Sequence, residues 1–112
     1  MDRKARRKRN TLQVEDVIAN EETFLRRERQ KARELRKTQW WRRRVERGIC
    51  HYCNQTYPAG DLTMDHVVPL ARGGKSTKGN CVPCCKTCNT KKATLVPVEW
   101  SEYLDSLRRT RM

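Results

Sequence analysis

Two Cys-x-x-Cys pairs, Cys50–Cys53 (CHYC) and Cys85–Cys88 (CKTC), constrain this chain more than any other feature. Two such knuckles can bring four thiolates to the corners of a tetrahedron, the arrangement a closed structural zinc site requires. The intervening residues 54–84, 31 in all, leave room for an inserted hairpin. Cys81 and Cys84 (CVPC) offer an alternative second knuckle. Cys85 and Cys88 are preferred because they open a plausible helix and are followed by polar Asn89 and Thr90. Cys81 and Cys84 are then expected to act as small buried hydrophobes. His51, inside the first knuckle, is read as exposed, since four cysteines already complete the site.

A metal staple is what this composition calls for. With 112 residues, 36% hydrophobic and 35% charged, the chain can bury only a thin core. Lys and Arg number 26 and Asp and Glu 13, so the formal net charge is 26 − 13 = +13. Such an excess attracts polyanions, and nucleic acid, held mainly through its phosphates, is the expected partner. No apolar run long enough to enter a membrane is present, so no membrane partner is expected. Met1–Asn10 is basic but is not followed by the apolar stretch of a secretory signal. We therefore expect an intracellular, cytoplasmic setting, where paired cysteines bind metal more often than they form disulfides.

Three parts follow from the pattern of residues. Residues 1–47 lack Gly and Pro and read as a basic arm over the first ten residues, then one or two helices. Asn20 is a candidate cap ahead of Glu21 and Glu22, and Gly48 a candidate terminator. Residues 48–94 hold every cysteine, both histidines and all the glycines, and should form the compact core. Within it, Leu62–Leu70 has the character of a strand, residues 71–79 form a Gly-rich loop, Asn80–Pro83 return as a second strand, and Cys85–Ala93 begin a helix. Residues 95–112 carry Trp100, Tyr103, Leu104 and Leu107 at helical spacing, which predicts a C-terminal helix packed on the core.

Asp65-His66 in MDHVVPLARGG, Asn80 in KGNCVPC and Asn89 in CKTCNTKK resemble the signature of the HNH endonucleases, in the subset that carries a zinc ribbon. The likeness covers roughly residues 48–93. It implies an α+β fold: a zinc-stapled ββα-metal unit, with a two-stranded antiparallel hairpin and a helix, flanked here by N- and C-terminal helices. It also implies a metal-dependent endonuclease acting on DNA. His66 would be the general base that deprotonates the attacking water, a task suited to a side chain largely neutral at pH 7. Asp65 and Asn89 would hold a catalytic divalent cation, and Asn80 would tie the loop between the strands and orient His66. Adjacent residues of a strand face opposite ways, so Asp65 and His66 can serve one phosphate only where the strand twists or ends.

This chain departs from the family pattern in carrying Asn89 and Ala93 where many relatives carry His. Fewer nitrogen ligands favour Mg²⁺ or Mn²⁺ over Zn²⁺ at the catalytic position. A non-catalytic zinc-ribbon module that binds nucleic acid would also account for the charge and the four cysteines. It would not account for Asp65, His66, Asn80 and Asn89 together. One ββα unit carries one active site, and Phe24, Leu25 and the Trp40–Trp41 pair form a candidate homodimer surface.

Overall fold

The computed structural model describes the backbone of residues 3–111 and the side chains of residues 13–109. Helix α1 runs unbroken over Arg3–Arg36, 34 residues. The basic arm expected ahead of the helices is therefore itself helical from Arg3 onward, and Asn20 lies inside the helix instead of capping one. The reason is local: with no Gly or Pro, nothing in this Arg- and Lys-rich stretch stops propagation. The break comes at Thr38, whose Oγ1 accepts the Trp41 N–H at 3.3 Å and so caps α2, Gln39–Glu46. Gly48 ends α2 in the left-handed region, φ 72°, with its N–H bonded to Val45 O at 3.0 Å. A Cβ at Gly48 would meet Tyr57 O at 2.7 Å, so space as well as φ requires glycine there.

Strand β1, Leu62–His66, pairs antiparallel with β2, Cys81–Cys85, with Leu62 opposite Cys85 and His66 opposite Cys81. Both strands differ from the expected bounds. β1 stops at His66 because the Val68 N–H turns to a side chain and Pro69 has no N–H to offer the ladder. β2 continues to Cys85, whose Sγ accepts the Cys88 N–H at 3.4 Å and caps α3, Lys86–Lys92. Pro83 is tolerated within β2 because a two-stranded hairpin has only edge strands. Helix α4, Pro97–Arg111, opens on a proline suited to a first turn. Glu99 Oε1 anchors that end by accepting the Val96 N–H at 3.1 Å and Arg72 Nη1 at 3.0 Å.

The fold is α+β, a ββα unit flanked by helices. Its core is small: Cys50, Leu62, Cys84, Cys85 and Cys88 are buried together, with Val45, Tyr52, Cys53 and Tyr57 packed around them. Trp100 of α4 is buried with its ring edge-on to Tyr52, 5.7 Å between centroids. Trp41 is also buried, and Arg44 and Lys78 lie over the Trp40 ring. Of the expected dimer surface, Trp41 is thus buried within the chain, while Trp40, Phe24 and Leu25 are half-buried. Among the described residues no helix is long and apolar enough to cross a membrane.

Candidate active site and metal centre

The two knuckles meet. The Sγ atoms of Cys50, Cys53, Cys85 and Cys88 all lie within 4.8 Å of one another, and those of Cys53 and Cys85 are 3.9 Å apart. A tetrahedron of Zn–S bonds of about 2.3 Å places its sulfurs about 3.8 Å apart, so this set fits zinc. Backbone N–H groups point at the sulfurs, Cys85 N to Cys50 Sγ and Cys88 N to Cys85 Sγ, each at 3.4 Å. Such bonds favour thiolate over thiol. Cys81 and Cys84 are fully buried in β2 outside this cluster, and His51 is exposed.

His66 is the last residue of β1. Beyond it the chain is bracketed by Asn80: its Oδ1 accepts the Val68 N–H at 2.8 Å, and its Nδ2 donates to Val68 O at 3.0 Å and Lys75 O at 2.8 Å. Asn80 O also accepts the Val67 N–H at 2.9 Å. Both ends of the loop that follows His66 are therefore tied through one residue.

Asp65 points the other way and is buried. Its Oδ2 accepts from the Tyr52 hydroxyl and forms an ion pair with Lys92 Nζ at 3.1 Å. Lys92 is completely buried; its ammonium also donates to His66 O at 3.1 Å and lies over the Tyr52 ring, 5.6 Å from the centroid. Asn89 is exposed on α3, three residues before Lys92 and so on a neighbouring part of the same helix face.

The His66 ring is held from the opposite side. Nε2 lies 2.9 Å from Ser76 Oγ. Ser76 is itself fastened to α1: its Oγ donates to Glu28 O at 2.5 Å and its N–H to Glu28 Oε2 at 2.6 Å. Burial pushes the His66 pKa below the usual histidine value; Asp65 opposes this, and Arg36 adds to the lowering. Burial and Arg36 thus both favour the neutral imidazole.

Sequence reasoning did not find Tyr52, Lys92, Ser76 or Glu28. Lys92 stands in a run of helix-ending lysines, Ser76 in a polar loop and Glu28 in a charged helix, so none carries a local signal.

A fold and site of this kind define a class. Residues 50–104 match the family model described as HNH endonuclease. Part of the chain is also similar to the type IV methyl-directed restriction enzyme EcoKMcrA of Escherichia coli strain K12, 36% identical over 55 residues. That match covers 44% of this chain and 20% of the enzyme, so the chain spans about a fifth of its relative's length.

Proposed function

We propose that this chain is a metal-dependent endonuclease that hydrolyses DNA phosphodiester bonds with His66 as general base. The observation that carries the reading is the position of His66. It ends a strand beside a loop bracketed by Asn80, with one ring nitrogen engaged by Ser76 and a pKa lowered by burial. A neutral imidazole held in this way can take a proton from water as that water attacks phosphorus. The products would carry a 3′-hydroxyl and a 5′-phosphate.

Asp65 and Asn89, two oxygen donors, suit a hard cation such as Mg²⁺ or Mn²⁺, which would offset charge developing on the phosphate. Tyr52 and Lys92 both engage Asp65 Oδ2, so the second carboxylate oxygen is the one such an ion would meet. Lys92 places positive charge in the same spot, which should weaken cation binding and leave the metal exchangeable. The four-cysteine cluster would hold zinc as a structural ion for a core spanning residues 48–94. Helices from residues 1–47 and 95–112 flank that core, and residues 1–47, with 17 basic and 8 acidic side chains, supply +9 of the +13 charge that would meet DNA phosphates. Cysteines used for zinc suit an intracellular, cytoplasmic protein. Cleavage of both strands would need two active sites, which a homodimer could provide.

The test is plasmid cleavage with and without Mg²⁺ or Mn²⁺, in the wild type and in His66→Ala. Loss of a positioned general base should lower the rate about 10²–10⁴-fold, with zinc content and DNA binding retained. Asp65→Ala and Asn89→Ala should recover activity in part at raised Mn²⁺, whereas His66→Ala should not. Full activity in His66→Ala would return the protein to the zinc-ribbon binding class.

A further inference from the structure

The contacts around Ser76 reach outside the family-matching segment. Glu28 lies on α1, 48 residues before Ser76 in the chain, yet it makes two hydrogen bonds to Ser76. Both residues are buried, Glu28 with 3% and Ser76 with 6% of their surface exposed. A carboxylate is expensive to bury unless several donors compensate it. Here Oε2 takes the Ser76 N–H and Oε1 takes Lys31 Nζ at 3.2 Å. The hydrogen bond from the Ser76 backbone is also the chief cause holding the Glu28 carboxyl below its ordinary range.

Hydrogen counting then decides the state of the imidazole. A serine hydroxyl carries one hydrogen. The Ser76 hydroxyl gives that hydrogen to Glu28 O, which as a carbonyl can only accept. Toward His66 Nε2, 2.9 Å away, Ser76 Oγ is left with a lone pair, so Nε2 must carry the ring proton. The neutral ring then has its basic lone pair on Nδ1.

We propose that Glu28 and Ser76 are positioning residues that hold His66 in its Nε2-protonated form, and that α1 is therefore a working part of the active site. The consequence for catalysis rests on His66 being the base, as proposed above; the tautomer itself does not. Glu28 and Ser76 are both buried away from the surface. They act through His66, by orienting the ring and presenting Nδ1 as the single basic nitrogen.

Long-range ¹H–¹⁵N correlation spectra of the full zinc-loaded chain test this, since only His51 and His66 contribute imidazole signals. Above the pKa of His66, the wild type should show a protonated Nε2 and an unprotonated Nδ1. Ser76→Ala should give a mixture of tautomers and a cleavage rate lower by about tenfold or more, the scale of losing an orienting partner. Ser76→Thr, which keeps the hydroxyl, should restore both, and Glu28→Ala, which removes the acceptor for the Ser76 N–H, should shift tautomer and rate in the same direction as Ser76→Ala. A wild-type His66 protonated on Nδ1 overturns the proposal without any variant. So does a Ser76→Ala protein with an unchanged tautomer and rate. If His66→Ala cleaves normally while the wild-type spectrum is as expected, the nuclease reading fails and the tautomer assignment stands.

Discussion

Lys92 and Asp65 form a buried ion pair, Nζ to Oδ2 at 3.1 Å, directly beneath the strand end that carries His66. Among the described residues Lys92 is the largest side chain with no exposed surface, and its ammonium also bonds His66 O. It thereby joins α3 to β1 at the site. Removing one partner of such a pair strands the other charge in a poorly solvated place. Lys92→Met should therefore destabilise the zinc-loaded protein by about 3–5 kcal/mol in denaturant unfolding. Adding Asp65→Asn to that variant should recover part of the loss. A change below about 1 kcal/mol would mean that the pair is solvated after all.

The four-sulfur cluster makes a sharper prediction about which cysteines matter. Cys85→Ser or Cys88→Ser should release zinc and unfold the core, because metal binding and folding are one process at such a site. Cys81→Ser and Cys84→Ser should retain zinc while losing about 1–3 kcal/mol from a buried hydroxyl. Metal analysis after gel filtration distinguishes the two sets. Zinc lost from the second set and kept by the first would reverse the assignment of the second knuckle.

Gly74 offers a test of the loop that carries Ser76. A Cβ there would come within 1.7 Å of Val68 O, a backbone atom already bonded to Asn80 Nδ2. Gly74→Ala should force that bracket apart, lower stability by about 1–3 kcal/mol and reduce cleavage. Gly79→Ala, with nothing within 4 Å of the added carbon, should be close to neutral in both. Thermal unfolding of the two variants side by side is sufficient.

The pH dependence follows from His66. Its pKa lies below the usual value near 6.5, chiefly because burial disfavours the imidazolium. The base must be neutral to act, so the cleavage rate should rise as pH passes upward through that lowered value and then level off. Activity is lost as pH falls through it. A rate still climbing steeply between pH 7 and pH 8 would point to a different group as the base.

The net charge of +13 predicts how DNA affinity responds to salt. The logarithm of the association constant should fall linearly with the logarithm of salt concentration, with a slope of roughly 0.9 per phosphate neutralised. Deleting residues 1–10, which carry six of the basic side chains (Arg3, Lys4, Arg6, Arg7, Lys8 and Arg9), should shallow the slope without altering the chemical step. A slope near zero would remove DNA as the partner of this charge.

Much of the hairpin was legible because its determinants are close in sequence. The knuckle spacing at Cys50–Cys53 and Cys85–Cys88 is a local pattern, and the strand, Gly-rich loop and second strand between them follow from β-branched residues and turn residues. The bounds were less secure. β1 ends at His66 and not at Leu70, because Asn80 diverts the Val68 N–H, a competition between partners 12 residues apart. The start of α1 and the supposed cap at Asn20 were misjudged because a capping residue does not end a helix whose neighbours on both sides favour helix.

By itself, then, the sequence determined the cysteine pairs, the ββα order and the basic charge, all written in residue type and spacing, and it pointed to Asp65, His66, Asn80 and Asn89 only through their resemblance to a family signature. Tertiary structure alone decided that Lys92 would be buried against Asp65 and that Glu28 would reach Ser76 across 48 residues. Those residues look like ordinary charged helix positions until the chain closes. Their roles come from desolvation and from which donors face which acceptors, and neither exists before α1 and α3 pack against the hairpin.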